Sequence, residues 1–403
     1  MEWIETNSYI KGIHNNLKLL HDPVRIAAFD LDDTLIYKSK ADKKWKLLDG
    51  TIKDKIANLI NNNYIIIIFT NQGGMSINKN FDKLTWRKAA DDLMKIMLSV
   101  SKSEYYFAIY AAKKYDIYRK PNLGMWKLMK QDLIKEFNLN QIRISKKSFY
   151  CGDAAGRTQP SPLKKKIYPK SKKGDFSDTD RKFALNIGIN FMTPEQFYLV
   201  TGSKDIQPYI LSGLDPVKYI ENISNKLNEP NKYIFKPRKK EMIIMIGQPG
   251  SGKSYFARNY IEPQGYAYIN QDVCKTKSKC KTLTLNALEQ GKSIVIDNTN
   301  PDILSRMEYT TLAKENGYKH IRAIVMNTSD ELAKHLNNVR HVYSNGKIPK
   351  ITDIVYCIHR KKYIGPQESE DFDKIEYVDF VFDEQNLLDE KWKHAFYKLS
   401  EYK

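Results

Sequence analysis

The sequence contains little cysteine and no apolar run of membrane length. Only four of its 403 residues are cysteines, and they form neither a C-x-x-C pair nor a cluster with histidines at zinc-ligand spacing. This composition excludes a disulfide-rich scaffold and indicates reduced thiols in an intracellular protein. Apolar runs such as Tyr64–Phe69 are far too short to span a bilayer, and residues 1–15 lack the pattern of a secretory signal. We therefore expect a soluble protein of the nucleus or the cytoplasm.

Basic residues outnumber acidic residues in this chain. It has 66 lysines and arginines against 47 aspartates and glutamates, which gives a formal net charge of +19. Such an excess suits a polyanionic partner, and nucleic acid is the usual one. The abundance of lysine, isoleucine and asparagine is also what an AT-rich genome would encode, such as that of a large DNA virus or a protist. The charge therefore supports a nucleic-acid partner only together with other signals, and we expect a monomer.

The order of strand-like and helix-like segments predicts an α/β protein of two domains. Apolar β-branched runs alternate with segments of helical period, and polar residues repeatedly follow the strands. Each domain is expected to be built on a parallel sheet. The predicted segments are an N-terminal arm at 1–22, a first domain at 23–201, a linker at 202–236 and a second domain at 237–403. A lysine-rich loop at 160–174 has three interpretations: it contacts a phosphate backbone, it is a nuclear-import signal, or it is simply a solvated loop.

A phosphate-binding loop opens the second domain. The segment fits G-x-x-x-x-G-K-[ST], and the apolar run Met242–Ile246 precedes it as a buried strand. Its glycines let backbone N–H groups approach phosphate closely, while Lys253 pairs with the β- and γ-phosphates and Ser254 is a ligand of Mg²⁺. We expect ATP to bind at Gly247, Gln248, Pro249, Gly250, Ser251, Gly252, Lys253 and Ser254.

Four motifs follow one another in the first domain. Asp30 and Asp32 come directly after a buried strand, and two carboxylates at this spacing can share one metal ion while doing different jobs. The motifs are Asp30-Leu31-Asp32-Asp33-Thr34, Thr70-Asn71, Arg119-Lys120-Pro121 and Gly152-Asp153. Their order resembles that of the haloacid-dehalogenase-type phosphatases.

This resemblance implies a role for each of these residues. Asp30 attacks phosphorus and becomes a phospho-aspartate, and Asp32 protonates the leaving oxygen and then activates water. Thr70 and Lys120 hold the phosphoryl oxygens. Asp30, the backbone of Asp32, and Asp153 hold Mg²⁺, which fits because all of these ligands are oxygen atoms.

Four other acidic residues of the first domain are less clearly assigned. The resemblance implies a second acidic ligand, for which Asp175, Asp178 and Asp180 are the candidates. Asp33 stands where many members carry a small residue, and we interpret it as a capping carboxylate.

Two side chains of the second domain have competing interpretations. Asp272 follows a short strand and could accept a proton from an attacking hydroxyl, but aspartate is equally common as a helix N-cap. Arg340 lies in a basic helix from which it could reach over the phosphates. Taken alone, it is more simply interpreted as an exposed helix residue.

The two domains together resemble the polynucleotide kinase 3′-phosphatases. The resemblance runs from about Val24 to Phe382, and it includes the run Asp297-Asn298-Thr299-Asn300. It implies removal of a 3′-phosphate and ATP-dependent phosphorylation of a 5′-hydroxyl at DNA strand-break ends, with RNA ends as an alternative. It also makes Asp272 the general base and Arg340 a lid arginine, and places Asp297 near the phosphate or acceptor site.

Some features depart from that family. Gln271 and Asn338 stand where relatives carry arginines, which puts the local acceptor contacts and the lid in doubt. We expect no counterpart of the N-terminal phosphopeptide-binding domain of vertebrate members. A second hypothesis is a fusion of a small-metabolite phosphatase with a nucleoside kinase. Steeply salt-dependent binding would favour the polynucleotide interpretation.

Overall fold

The computed structural model describes residues 1–39, 44–77, 83–99, 104–167, 172–198, 208–226, 234–380 and 389–402. The chain divides into two compact units. The first contains Met1–Gly213, Asn345–Lys347 and Lys398–Glu401, and the second contains the other residues from Leu214 onwards. The division falls inside the segment 202–236 that the sequence predicts as a linker.

The first unit is built on a mixed sheet of seven strands in the order β1-β2-β7-β6-β3-β8-β9, beside a small hairpin of β4 and β5. The five strands from β7 to β9 are parallel, whereas β1 and β2 are antiparallel to their neighbours. Its strands are β1 (Glu2–Glu5), β2 (Tyr9–Asn15), β3 (Arg25–Phe29), β4 (Ile36–Lys38), β5 (Trp45–Leu47), β6 (Tyr64–Asn71), β7 (Tyr106–Ala112), β8 (Phe149–Cys151) and β9 (Asn190–Met192).

Helices cover both faces of this sheet. Successive residues of a strand point to opposite faces, so Ile66 and Ile68 of β6 enter one core cluster, while Ile65 and Ile67 enter another. The first cluster includes side chains of α1 and α3, and the second includes side chains of α4 and α6. The helices are α1 (Ile52–Asn61), α2 (Gly74–Ile77), α3 (Lys83–Leu98), α4 (Gly124–Glu136), α5 (Pro162–Ile167), α6 (Thr179–Ile187) and α7 (Pro194–Tyr198).

Two predictions for the first unit need correction. The stretch 1–22, interpreted as an arm, supplies β1 and β2 to the sheet, because β2 pairs with β7 over its whole length. These two strands add an antiparallel edge to the parallel sheet that the sequence predicts. The predicted lysine-rich loop at 160–174 contains the helix α5, and part of it lies outside the described residues.

The second unit contains a five-stranded parallel sheet in the order β11-β12-β10-β13-β14. Its strands are β10 (Glu241–Ile246), β11 (Ala267–Ile269), β12 (Ile294–Ile296), β13 (His320–Asn327) and β14 (Lys374–Asp379). Its helices are α8 (Pro216–Lys226), α9 (Lys253–Phe256), α10 (Gln271–Cys274), α11 (Lys277–Glu289), α12 (Ile303–Glu315), α13 (Asp330–Tyr343), α14 (Asp353–Lys362) and α15 (Glu390–Phe396). The predicted linker thus contains a helix, α8.

In both units the middle strand of the five parallel strands leads into a predicted site. Asp30 follows β3, which lies between β6 and β8, and Gly247 follows β10, which lies between β12 and β13. Ligands of open α/β sheets bind at the carboxyl ends of such strands. The prediction of two α/β domains is confirmed. No helix within the described part of the chain combines the length and the apolar character that a bilayer crossing requires.

Candidate active sites

Asp30 lies at the carboxyl end of β3 with its side chain almost fully enclosed. Its backbone N–H donates to the carbonyl of Cys151 at 2.8 Å, which holds the ends of β3 and β8 together. The residue is 7% exposed. Burial raises the pKa of Asp30, the charge of Lys120 opposes that rise, and Asp180 and Asp32 add to it. The Asp30 carboxylate therefore needs positive charge nearby in order to stay ionised.

Lys120 supplies such a charge from the centre of the site. Its Nζ lies within hydrogen-bonding distance of four oxygens, which share its three N–H groups: Asp30 Oδ1 at 2.5 Å, Asp180 Oδ1 at 2.7 Å, the hydroxyl of Tyr150 at 2.8 Å and the carbonyl of Phe69 at 2.9 Å. The residue is 2% exposed. Four elements, β3, β6, β8 and α6, thus converge on one ammonium group. If a phosphoryl group binds beside Asp30, the Lys120 ammonium can offset the negative charge of the phosphoryl oxygens.

Asp32 and Thr70 are joined by a side chain that the sequence left without a role. Gln72 Nε2 donates to Asp32 Oδ2 at 2.6 Å and to Thr70 Oγ1 at 3.0 Å. Burial raises the pKa of Asp32 to about 6, although the hydrogen bond from Gln72 opposes the rise. A carboxyl group with this pKa can exchange a proton near neutral pH, as a general acid and base must.

A cluster of three carboxylates can hold a metal ion. Asp30, Asp153 and Asp180 each offer one oxygen, and these oxygens lie within 4.8 Å of one another. Burial and the charges of Asp180 and Asp30 raise the pKa of Asp153 well above its usual value. Two of these carboxylates are buried and Asp153 is half-buried, and oxygen ligands that repel one another in this way are suited to a hard divalent cation. The donor set therefore fits Mg²⁺.

The structure distinguishes among the three candidates for the second acidic ligand. Asp175 Oδ2 accepts from Arg157 Nε at 2.8 Å, and Asp178 Oδ2 forms an ion pair with Lys182 at 3.0 Å. Asp180 alone of the three belongs to the carboxylate cluster, and its Oδ2 also accepts from the N–H of Ala154 at 3.0 Å. Asp180 is therefore the candidate that the geometry favours.

Asp33 lies in a turn rather than at the start of a helix. Its φ is +52°, and its N–H donates to the carbonyl of Ile36 at 2.7 Å. Its charge raises the pKa of the neighbouring Asp32. The interpretation as a helix-capping carboxylate therefore does not describe this position.

The glycine-rich loop of the second unit lies between β10 and α9, as the sequence predicts. Gly250 has a φ of +77°, and a Cβ at this position would lie 2.6 Å from the carbonyl oxygen of Ala333, so only glycine fits. The loop is anchored from the opposite side by Thr328. That residue donates its hydroxyl to the carbonyl of Ser251 at 2.9 Å and accepts at its own carbonyl from Gln248 Nε2 at 2.8 Å.

Lys253 contacts its own loop. Its Nζ donates to the carbonyls of Gly247 and Gln248, both at 2.8 Å. Burial lowers the pKa of Lys253 to about 8, and the charges of Asp297 and Asp272 oppose that change. The next residue, Ser254, is exposed. An incoming phosphate would therefore meet a lysine that has no carboxylate bonded to it among the described residues.

Asp272 is not the cap of its helix. Asn270 caps α10 instead, because its side-chain oxygen accepts from the N–H groups of Asp272 and Val273. The Asp272 side chain is exposed, and its charge acts on Lys253. Asp297 is buried, with its carboxylate held by Tyr268 and by Asn270 Nδ2, the latter at 2.8 Å. The two carboxylates thus differ in exposure, and Asp272 is the one open to an acceptor.

Arg340 is exposed on α13 and donates to Asn337 Oδ1 at 3.3 Å. Its charge lowers the pKa of Tyr356, although burial dominates and raises that pKa. The hydroxyl of Tyr356 would lie 3.1 Å from a Cβ at Gly250, so Arg340 acts electrostatically on a residue at the loop. Asn338, in contrast, is buried and faces away from the exposed side of α13.

Sequence reasoning missed Tyr150 and His359. Tyr150 has the pattern of an ordinary core aromatic in a strand. His359 stacks on Tyr363 with ring centroids 5.6 Å apart, and its buried Nε2 has no hydrogen-bond partner in the part of the chain that the structure describes. Burial lowers the pKa of His359 to about 4, and the charge of Lys253 adds to this effect. A single histidine in a basic helix gives no sequence signal for such a position.

Two family models match the chain, one in the first unit and one largely in the second. The profile of the family described as "Polynucleotide kinase 3 phosphatase" matches residues 25–198, and that of an "AAA domain" matches residues 242–351. A protein of Acanthamoeba polyphaga mimivirus, whose name is that of a bifunctional polynucleotide phosphatase/kinase, is 65% identical over 405 aligned residues, with 100% of this chain and 96% of the relative covered.

Two cellular proteins are also similar. The bifunctional polynucleotide phosphatase/kinase of Schizosaccharomyces pombe is 35% identical over 387 residues, which cover 94% of this chain and 85% of the relative. A polynucleotide 3′-phosphatase of Arabidopsis thaliana is 33% identical over 195 residues, which cover 45% of this chain and 25% of the relative. Similarity to the first two relatives extends through both units.

Proposed function

Because this chain belongs to the family of bifunctional polynucleotide phosphatase/kinases, we propose that it repairs nucleic-acid ends by removing a 3′-phosphate in its first unit and phosphorylating a 5′-hydroxyl in its second. The observation that carries the proposal is the convergence of four elements, β3, β6, β8 and α6, on Lys120 in the same chain as a phosphate-binding loop. Breaks that carry both end groups require both reactions before ligation.

The phosphatase reaction proceeds in two steps. In the first, a carboxylate oxygen of Asp30 bonds to phosphorus while the bond to the 3′-oxygen breaks, and Asp32 gives its proton to that oxygen. In the second, Asp32 takes a proton from water, the water oxygen bonds to phosphorus, and the bond to Asp30 breaks to release phosphate. Thr70 and Lys120 hold the phosphoryl oxygens in both steps.

Mg²⁺ would be held by Asp30, Asp153, Asp180 and the backbone of Asp32, and it would neutralise charge on the phosphoryl oxygens. The cluster of the three carboxylates supports this assignment. The side chain of Asp32 is directed to Gln72, which leaves it available for proton transfer.

The kinase reaction transfers the γ-phosphoryl group of ATP. Asp272 accepts the proton of the 5′-hydroxyl. At the same time the 5′-oxygen bonds to the γ-phosphorus, and ADP leaves. Lys253 and the backbone of the loop bind the phosphates, Ser254 would be a ligand of Mg²⁺, and Arg340 stabilises the transferring phosphoryl group. The exposure of Asp272 and Arg340 supports roles in which each meets a substrate.

DNA strand-break ends are the substrate that we propose, with RNA ends as the alternative. The net charge of +19 supports a polyanionic substrate of either kind. The high identity to the mimivirus protein supports a large DNA virus as the source. Nuclear or cytoplasmic location and a monomeric state remain predictions.

A nicked duplex with a 3′-phosphate and a 5′-hydroxyl tests the proposal. With Mg²⁺ and ATP we expect both ends to be converted, so that an added ligase seals the nick. Matched DNA and RNA nicks, assayed side by side, distinguish the two substrates. If neither end of either nick changes, the proposal is wrong.

A further inference from the structure

The segment Lys398–Glu401 belongs to the first unit and contacts the residues on both sides of Lys120. On one side, the guanidinium of Arg119 forms a two-pronged ion pair with Glu401. Its Nε lies 3.0 Å from Oε2, and its Nη2 lies 3.1 Å from Oε1. The two side chains are only 12% and 9% exposed. A planar guanidinium held at two points, and lying 4.1 Å over the ring of Tyr115, has little freedom to rotate.

On the other side of Lys120, the link to the segment runs through Asn186. Its Nδ2 donates to the carbonyl of Pro121 at 3.0 Å and to the carbonyl of Leu399 at 2.8 Å. Its Oδ1 accepts from the N–H of Leu399 at 2.7 Å. Asn186 is 4% exposed, so each of these bonds would leave a buried polar group without a partner if it were broken.

The same segment also holds the helix that carries Asp180. Lys182 Nζ donates to the carbonyl of Ser400 at 2.9 Å, and Lys398 Nζ donates to the carbonyl of Asn186 at 2.7 Å. Asp180, Lys182 and Asn186 all lie on α6. The segment thus contacts the sequence neighbours of Lys120 and also the helix that carries Asp180. Lys120 and Asp180 are themselves joined by a bond of 2.7 Å.

We propose that Lys398–Glu401 is a positioning element of the phosphatase site, in which Glu401 and Asn186 fix Lys120 against Asp180 and Asp30. The backbone of Lys120 is already held from one direction by Asn71, through bonds of 2.9 and 3.2 Å. The segment adds a second restraint through Arg119 and Pro121, the neighbours of Lys120 in sequence. This inference rests on the proposed phosphatase function of the first unit.

The test uses point substitutions in the full chain, because the next residue, Tyr402, belongs to the second unit. The variants are Glu401→Gln, Arg119→Glu and the exchanged pair Arg119→Glu with Glu401→Arg. The control is Asp132→Asn, since Asp132 pairs with Lys11 at 2.5 Å with side chains 14% and 10% exposed, away from the site. The assays are release of phosphate from a 3′-phosphorylated oligonucleotide and 5′-phosphorylation by the same samples.

We expect Glu401→Gln to lower the phosphatase kcat about tenfold with little change in KM, since small misplacements of a catalytic group have effects of this size. Arg119→Glu should lower it further, and the exchanged pair should restore most of the loss. Asp132→Asn should keep the wild-type kcat, and 5′-phosphorylation should be unchanged in every variant. If Glu401→Gln does not fold, the milder Glu401→Asp replaces it.

A second readout needs no phosphatase activity. In protein labelled with ¹⁵N-lysine, the ammonium resonance of Lys120, assigned by its loss in Lys120→Arg, should shift or broaden in Glu401→Gln but not in Asp132→Asn. If kcat and the Lys120 resonance of Glu401→Gln both match the wild type, the inference is wrong. A lowered kcat with an unchanged resonance also contradicts it. An inactive wild type with a shifted resonance in Glu401→Gln would instead contradict the proposed phosphatase function.

Discussion

Lys120 and Lys253 are both buried lysines that we assign to phosphoryl groups, but their surroundings differ. Lys120 bonds to two carboxylates, and although burial lowers its pKa, the charges of Asp180 and Asp30 outweigh burial and raise it. Lys253 bonds to backbone carbonyls, and burial lowers its pKa to about 8. The charge of the first lysine is therefore already engaged by carboxylates, whereas the second lysine has its charge available for an anion.

We attribute this difference to the source of the negative charge in each reaction. A phospho-aspartate mechanism uses the protein's own carboxylate as the nucleophile, so the cation beside it must be in place before the substrate arrives. A kinase receives most of its negative charge with ATP. Accordingly, Asp272 and Arg340 lie exposed in the second unit, while Asp30 and Asp180 are buried in the first.

The largest expected effect comes from removing one residue of each site. Asp30→Asn should lower 3′-phosphatase activity by about a thousandfold or more because the nucleophile is lost, while 5′-phosphorylation stays unchanged. Lys253→Ala should do the reverse, because the loop loses the charge that binds the β- and γ-phosphates. Both activities are measured on the same nicked duplex. Loss of both in either variant would contradict two separate sites.

A smaller effect should follow from adding MgATP. Binding to the native state alone stabilises by about 2.7 kcal/mol at a ligand concentration of one hundred times Kd. We expect this stabilisation in the second unit and none in the first, since Lys253, unlike Lys120, is not bonded to carboxylates. Hydrogen exchange resolves the two units, with β10 and β6 as reporters. Lys253→Ala serves as the control, and equal protection of both strands in the wild type would contradict the comparison.

The smallest expected effect concerns acid stability of the first unit. Hydrogen bonds from Lys113 and Lys83 lower the pKa of Glu5 to about 2, from a usual value of 4.5. A lowered native pKa means that the ion pairs stabilise fully above pH about 4.5, and that this contribution is lost as the pH falls towards 2. Glu5→Gln should therefore destabilise the first unit slightly at pH 7 and progressively less as the pH falls from about 4.5 through 2. Partial exposure of the Glu5 side chain keeps the effect small.

Denaturant titrations at pH 7, 4 and 3 measure that difference. Asp22→Asn is a matched control for an exposed ion pair of the same unit. The Asp22 and Arg143 side chains are both largely exposed, so this substitution should change stability less than Glu5→Gln at each pH. A constant difference between wild type and Glu5→Gln at all three pH values would contradict the assignment.

Elements with a strong local pattern were predictable from the sequence. The run of isoleucines in β6 and the glycine-rich loop after β10 both specify their structure within a few residues. The four motifs of the first domain, which follow one another in the sequence, likewise predicted a phosphatase site. Their identification needed no information on contacts between distant residues.

Features that depend on distant contacts were not predictable. β2 is a strand because it pairs with β7, nearly a hundred residues later, and its own residues have no clear alternation. Asp175, Asp178 and Asp180 have similar sequence surroundings, and only the position of α6 beside Lys120 distinguishes Asp180. Glu401 is further still from its partner Arg119 in sequence.

The contacts of Lys398–Glu401 have a consequence for biosynthesis. Arg119 and Asn186 leave the ribosome long before the residues that they bind, and nearly all of the second unit is translated in between. At 5–20 residues per second, the delay after Asn186 is on the order of 10–40 s. During that interval all nine strands that the structure describes in the first unit have been synthesised, but Leu399 and Glu401, the partners of Asn186 and Arg119, have not. Chaperones that bind nascent chains would therefore encounter a first unit that has all of these strands but lacks these late contacts.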